Sequence, residues 1–275
     1  MTVTRFAPSP TGYLHLGHAW SALFAHRAAQ DGNFLLRIED IDPVRCRPAF
    51  TAAIFDDLRW LGLTWPEPVR IQSQHMADYA AALDALRGMG LLYPCFCTRR
   101  EIEVEARRAG AAPHAEDGGF IYPGTCRALP AAERAARLAE SAQVNWRLDI
   151  GAAMKRTGAL SWHDRAKGHI VARPDLFGDV VLARKDVPAS YHLCVTVDDH
   201  LQGVTLVTRG EDLFASTDIH RLLQALLGCG TPDYHHHPLR TDAAGRRYAK
   251  RDQSVTLRAL RDAGKTPEDI EAMIT

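Results

Sequence analysis

Pro8-Ser9-Pro10-Thr11-Gly12-Tyr13-Leu14-His15-Leu16-Gly17-His18 divides a short apolar run from an amphipathic one, and the organisation of the chain unfolds on either side of it. Before it, residues 3–7 (Val-Thr-Arg-Phe-Ala) read as a strand, which Pro8, Pro10 and Gly12 interrupt. After it, helical periodicity runs from about Gly17 to Gln30, and Asn33–Glu39 reads as a second strand. Strand, helix and strand within the first 40 residues predict an α/β fold with a parallel, doubly wound sheet. His15-Leu16-Gly17-His18 then opens the first helix, where unpaired N–H groups and the positive end of the dipole make a seat for phosphate. Gly17 lets a ligand come close to the backbone, and His15 and His18, three residues apart, share one face. Two imidazoles there are placed to donate hydrogen bonds to a phosphate that gains charge during nucleotidyl transfer. Four residues alone would also fit two surface histidines brought together by chance.

Further along, Ala49–Gly62 and Asp78–Gly90 are amphipathic helices, the second stopped by Gly88 and Gly90. From Tyr93 to about Arg173 the periodicity breaks into a cysteine-bearing segment, a Gly/Ala/Pro loop at 109–119 and β-structure near Val144–Leu148 and Ile170–Arg173. This stretch reads as an insertion on the main sheet. Alternation of strand and helix resumes at Tyr191–Val197, Leu206–Thr208 and Asp218–Leu227, and a polar hairpin region at 233–254 precedes one last helix around Pro267–Ile274. The expected organisation is therefore 1–92 and 174–254 as two halves of one catalytic domain, 93–173 as an insertion subdomain, and 255–275 as a helical tail.

Composition excludes several classes. With 33 basic and 33 acidic side chains in 275 residues, the chain does not grip nucleic acid by bulk charge, although a local basic groove remains compatible. No apolar run reaches the roughly 20 residues that span a bilayer. The start, MTVTRFAPSPTG, lacks the basic stretch and apolar core of a signal peptide, so a cytoplasmic location is expected. Six cysteines in a chain of this length do not form a disulfide scaffold. Cys95-Phe96-Cys97 with the later Cys126 instead suggests zinc, which structural sites hold with four ligands. His114 is a chemically ordinary fourth donor. Cys46, Cys194 and Cys229 read as buried small hydrophobes, and His235-His236-His237 as a strand or turn.

The motif quoted first, together with Arg37-Ile38-Glu39-Asp40-Ile41-Asp42, Asp198-Asp199-His200-Leu201-Gln202-Gly203-Val204 and Arg209-Gly210-Glu211-Asp212, resembles the class I aminoacyl-tRNA synthetases, specifically the glutamyl/glutaminyl branch. The resemblance covers nearly the whole chain in the right order. It implies a Rossmann-like doubly wound parallel sheet with a zinc-containing insertion and a short C-terminal helical segment. It also implies a glutamate pocket at Arg5, Ala7, Ser9, Glu39, Tyr191 and Arg209. There Glu39 takes the α-ammonium, while Arg5 and Arg209, with the Tyr191 hydroxyl, hold carboxylate oxygens. The chemistry suits those roles, because a guanidinium fork matches a carboxylate and a buried charge left unpaired by neutral glutamine is costly.

For ATP the resemblance implies His15, Gly17, His18, Arg247 and Lys250, with His15, His18 and Lys250 catalytic and Mg²⁺ carried in with the nucleotide. Relatives read approximately Lys-Leu-Ser-Lys-Arg at the second ATP motif; here Arg247-Tyr248-Ala249-Lys250-Arg251 follows Gly245. The second lysine is kept, but arginine replaces the first and alanine the serine, which puts turnover in more doubt than binding. The family places the zinc ligands at Cys95, Cys97, Tyr122 and Cys126, where the metal's role is structural.

The sequence ends shortly after Lys250, so no anticodon-binding domain is expected. That architecture resembles the glutamyl-Q tRNA(Asp) synthetases. The resemblance implies ATP, L-glutamate and tRNA(Asp) carrying queuosine as partners, with glutamate activated without tRNA and then transferred to the queuosine base at the wobble position. A monomer is the default. Two other readings fit the residues. One is a truncated glutamyl-tRNA synthetase charging a tRNA 3′ end. The other is a catalytically silent tRNA- or glutamate-binding paralogue, favoured by Arg247 and Ala249 and opposed by the intact His15, His18, Glu39 and Lys250.

Overall fold

A computed structural model describes residues 1–30, 32–108, 121–141, 144–240 and 255–274. Strand β1 (Val3–Phe6), helix α1 (Leu16–Ala29) and strand β2 (Asn33–Ile38) form the first unit. β1 and β2 pair in parallel with Val3 opposite Asn33 and Phe6 opposite Leu36. Four buried alanines, Ala19, Ala22, Ala25 and Ala29, let α1 lie close on the sheet, where Thr4 Oγ1 donates to the Ala25 carbonyl at 2.9 Å. Helix α2 (Pro48–Trp60) leads to the short strand β3 (Arg70–Ile71), parallel to β2, and to helix α3 (Met76–Gly88).

Strand β4 (Leu92–Cys95) opens the middle of the chain, followed by helices α4 (Arg99–Arg108) and α5 (Ala131–Glu140) and strand β5 (Asn145–Leu148). Helix α6 (Ile150–Thr157) leads to strands β6 (Ser161–Asp164), β7 (Gly168–Val171) and β8 (Val181–Ala183). The strands do not sort along a boundary at residue 173. β4, β5 and β8 form a small antiparallel sheet, whereas β6 and β7 join the main one. Buried Asp179 binds the small sheet together, accepting from the Tyr93 hydroxyl at 2.5 Å, Arg127 at 2.8 Å and the Ile150 N–H at 3.0 Å.

Helix α7 (Tyr191–Leu201), strand β9 (Leu206–Gly210), helix α8 (Ser216–Leu227) and strand β10 (Asp233–His237) follow. β9 is parallel to β10 and β10 to β6. The entry to β9 lies beside β1, because Val3 N–H donates to Thr205 Oγ1 at 2.9 Å and Thr205 N–H donates to the Val3 carbonyl at 3.0 Å. Thus the carboxyl ends of β1, β2, β9 and β10 meet where the two halves of the sheet join, the place at which open α/β sheets bind ligands.

Three expectations need correction. Residues 233–237 are a strand inside the parallel sheet, not one arm of a hairpin: Tyr234, His236 and His237 are buried, and neutral imidazoles stack there as aromatic rings. The remainder of that region, 241–254, lies outside the described residues. The tail holds two helices, α9 (Leu257–Asp262) and α10 (Pro267–Ile274), separated where Gly264 takes φ +79°. Of the three cysteines read as buried, only Cys194 is fully so; Cys46 and Cys229 are half-buried. The main core gathers Phe6, Leu36, Ile38, Leu58, Leu257 and Ile270, so the tail packs into the same core as β1 and β2. Among the described residues, no helix is long and apolar enough to cross a membrane.

Candidate active site

The histidine pair caps its own helix. His15 is extended at the N-cap of α1, its Nδ1 accepts the Gly17 N–H at 3.1 Å, and its own N–H donates to His18 Nδ1 at 3.2 Å. The two rings lie 3.7 Å apart. Because both Nδ1 atoms accept from the backbone, the proton of each ring in its neutral form rests on Nε2. The first turn holds no acidic residue, so nothing there opposes an incoming anion. Arg247 and Lys250, with Gly245 and Ala249, lie outside the described residues. The described residues on either side of 241–254 both reach α1 and its entry. The Arg240 guanidinium sits 4.2 Å over the Trp20 ring, and Leu257 N–H donates to the Leu14 carbonyl at 2.8 Å.

At the ends of β1, β2 and β9 the structure gathers the residues assigned to glutamate. Glu39 N–H donates to the Pro8 carbonyl at 3.1 Å, which sets the Ala7–Ser9 turn beside the end of β2. Ser190 caps α7 by accepting the Leu193 N–H, which places Tyr191 in the first turn. The Tyr191 hydroxyl accepts from Arg209 Nη1 at 3.4 Å, and burial pushes that phenol up. Burial likewise raises the Glu39 carboxyl to about 7, although Arg37 and Arg5 pull it down.

The two arginines stand in different electrostatic settings. Arg5 is held side-on by Asp199, from Nε at 2.9 Å and Nη2 at 3.3 Å, and its Nη1 donates to the Thr208 carbonyl. Arg209, also buried, meets only uncharged partners among the described residues: His236, His220, Thr217 and Tyr191. Both imidazoles are kept neutral. Burial and Arg209 drive His220 well down, and the same two causes lower His236 to about 4 despite its bond to Asp164.

Beneath these groups lies a layer that the sequence did not single out. Arg37, wholly buried, donates to Asp199 Oδ1 and Gln202 at 2.9 Å each and to Glu39 at 3.4 Å. Asp198, equally buried, accepts from Arg70, Gln72 and Tyr79. Burial opposes the charge of Asp199, but Arg5 and Arg37 hold its carboxyl below the usual range. Arg37, Asp198, Asp199 and Gln202 all fall within the motifs quoted above, which was the available signal; His220 and His236 gave none.

The expected metal ligands also come together. The sulfurs of Cys95, Cys97 and Cys126 lie within 4.8 Å of one another. The Tyr122 hydroxyl accepts the Cys126 N–H at 2.8 Å and lies 3.7 Å from Cys97 Sγ, while Arg147 stacks 3.8 Å from the Tyr122 ring. Burial pushes the Cys97 thiol up to about 12. For Cys126 burial acts the same way, but the Tyr122 hydroxyl and backbone N–H groups outweigh it and lower the thiol. Three converging sulfurs and an adjacent oxygen suit a tetrahedral thiolate site. His114 is outside the described residues.

A family model described as "tRNA synthetases class I (E and Q), catalytic domain" matches residues 1–275. The chain is 47% identical to a glutamyl-Q tRNA(Asp) synthetase of Rhodobacter capsulatus, with 99% of each chain covered. It is 40% identical to glutamate–tRNA ligase 2 of a Methylobacterium species, covering 98% of this chain and 59% of that one. Among solved structures, the glutamate-tRNA synthetase of Elizabethkingia anophelis superposes with a TM-score of 0.79 at 27% identity. There too the chain spans only part of its relative, 59% of that length, while 97% of the present chain is covered.

Proposed function

The chain belongs to the class I tRNA synthetases of the glutamate and glutamine type, a family of ligases, and from that membership we propose that it activates L-glutamate with ATP in the absence of tRNA and transfers it to the queuosine base of tRNA(Asp). The observation that carries the reading is Arg209, a buried guanidinium whose described partners are all uncharged. A buried cation without an acid calls for a carboxylate, and Glu39 nearby offers the opposite charge for an ammonium. Glutamine, neutral at its side chain, leaves that cation without a partner. The relatives named glutamyl-Q tRNA(Asp) synthetase support queuosine as the acceptor.

In the first step an oxygen of the glutamate α-carboxylate attacks the α-phosphorus of ATP. A C–O–P anhydride forms, the bond to the β-phosphate breaks, and pyrophosphate leaves, its charge to be screened by the Mg²⁺ that ATP would carry in. Glu39 holds the α-ammonium; Arg5, Tyr191 and Arg209 hold carboxylate oxygens; Ala7 and Ser9 line the turn beside them. The Nε2–H groups of His15 and His18 stabilise charge on the phosphate, with Gly17 admitting it to the helix terminus and Arg247 and Lys250 completing the cradle. In the second step a hydroxyl of the queuosine cyclopentenediol attacks the activated carbonyl, forming an ester and releasing AMP and a proton. Rate comes from positioning and electrostatics, since no protein nucleophile is required. Cys95, Cys97, Cys126 and Tyr122 would hold a zinc ion whose part would be structural.

Glutamate-dependent exchange of labelled pyrophosphate into ATP, without tRNA, tests the first step. Labelled glutamate supplied with tRNA(Asp) with and without queuosine tests the second. The expected product forms only with queuosine and is blocked by prior periodate cleavage of its diol. Glutamate appearing on tRNA(Glu) instead makes this a 3′-end charging enzyme, and absence of any exchange makes it a binding protein.

A further inference from the structure

Arg209 is steered by a buried acid that never touches it. Its Nε donates to His236 Nε2 at 3.1 Å, Nη1 to His220 Nδ1 at 3.1 Å, and Nη2 to Thr217 Oγ1 at 2.5 Å. His236 in turn sets Nδ1 2.7 Å from Asp164 Oδ2. Asp164 has no exposed surface and is itself fixed, accepting the N–H groups of Ala166, Lys167 and His236. A carboxylate only accepts, so the His236 proton lies on Nδ1 and the lone pair on Nε2 faces Arg209. The rings of Trp162, Phe214 and Tyr234 surround His236, with Lys167 over Phe214 at 4.1 Å. Asp164, Arg209, Thr217 and Lys167 are thus the polar and charged groups around it.

Arg5 shows the alternative arrangement. Asp199 grips it directly through two hydrogen bonds, so an incoming carboxylate must share a cation already neutralised. In the Asp164–His236–Arg209 chain the acid acts at the distance of one imidazole. The guanidinium is fixed in place while most of its charge remains for a ligand. We propose that His236, oriented by Asp164, is a positioning residue that presents Arg209 uncompensated to the substrate carboxylate and thereby sets the preference for glutamate over glutamine. This inference rests on the glutamate-activating function proposed above.

The test is pyrophosphate exchange with glutamate and with glutamine, using the full chain and the variants His236→Gln and His236→Glu. His236→Glu puts a carboxylate directly on Arg209. It should raise the glutamate KM about tenfold and erode selectivity over glutamine, with the KM for ATP unchanged. His236→Gln, whose amide accepts from Arg209 and donates to Asp164, should recover most of both. A wild-type glutamate KM and glutamate-to-glutamine ratio in His236→Glu overturns the proposal while leaving the function standing. Absence of glutamate-dependent exchange in the wild type overturns the function and this inference with it. Imidazole ¹⁵N spectra of the wild-type protein guard against misfolded variants. The expected signature for His236 is a neutral Nδ1–H ring from pH 6 to 8; an imidazolium or an Nε2–H ring overturns the proposal.

Discussion

Arg5 and Asp199, on β1 and α7, meet side-on, and the same Asp199 Oδ1 that takes Arg5 Nε at 2.9 Å also takes Arg37 Nη1 at 2.9 Å. One carboxylate thus joins two buried arginines from adjacent strands to the helix that carries Tyr191. Asp199→Asn preserves shape but removes the charge, taking from Arg5 its paired acid while Arg37 keeps Glu39 and Asp198. Removing one partner of a buried pair costs about 3–5 kcal/mol. The variant should unfold at correspondingly lower urea concentration and bind glutamate poorly, because Arg5 is no longer fixed.

Glu39 makes substrate binding depend on pH. Its carboxyl is raised to about 7, chiefly by burial, so much of it is protonated in the free protein at neutrality. Only the ionised form pairs with the glutamate ammonium. Affinity should therefore rise with pH through 7 and flatten above it, with binding about tenfold weaker at pH 6 than at pH 8. Calorimetry in buffers of different ionisation enthalpy should record proton release on binding below pH 7. Glu39→Gln should abolish both the release and the slope.

The helices and first strands were legible because their periodicity is local: Ala19, Ala22, Ala25 and Ala29 mark the buried stripe of α1 within a single turn-by-turn pattern. The residues that set the electrostatics were not. Asp199 meets Arg5 across 194 positions, and Asp164 meets His236 across 72, distances over which composition carries no pairing information. β10 was hidden for a related reason. Asp-Tyr-His-His-His reads as polar, and only the sheet around it shows that His236 and His237 are buried and kept neutral, with His236 stacked on Tyr234. Motif similarity pointed to Arg5, Glu39, Tyr191 and Arg209, but could not reveal that Arg5 is paired with an acid while Arg209 meets uncharged partners among the described residues.

Asp57 on α2 is buried beneath Arg261 of α9, with Nη1 3.2 Å from Oδ1 and no well-formed hydrogen bond to either oxygen. Burial raises its carboxyl to about 6, against the pull of Arg261. The folded protein therefore holds a proton that the unfolded chain has already lost between pH 4 and 6, and stability falls as pH rises through that window. Asp57→Asn should remove this part of the slope and stabilise the protein at pH 7 by about 1–2 kcal/mol, read as a higher melting temperature.

Metal removal should act on folding before it acts on chemistry. Cys95, Cys97 and Cys126 sit in a small cluster with Tyr93 and Tyr122, and few apolar side chains support it. A strong chelator, or Cys126→Ser, should release one equivalent of zinc by elemental analysis and expose β4 and the segment around Tyr122 to proteolysis. Glutamate-dependent pyrophosphate exchange should fall less than protection does, because the clusters that hold β1, β2 and β9 are distinct from this one.

The two nitrogens of His18 have separable duties, and a pair of substitutions divides them. Nδ1 accepts the His15 N–H at 3.2 Å, which closes the cap of α1, and the duty proposed above for Nε2–H is to meet phosphate. Asparagine places its Oδ1 near the position of Nδ1 but has no atom at Nε2. Glutamine places an N–H donor near Nε2 but offers the backbone nothing at Nδ1. His18→Asn should therefore stay close to wild-type stability while losing about 100-fold in the exchange rate, the usual cost of one donor to a developing negative charge. His18→Gln should keep much more of the rate and lose about 1 kcal/mol of stability through the cap. Urea titration and pyrophosphate exchange on the same samples read both quantities. Equal losses of rate in the two variants would show that His18 serves the helix and not the phosphate.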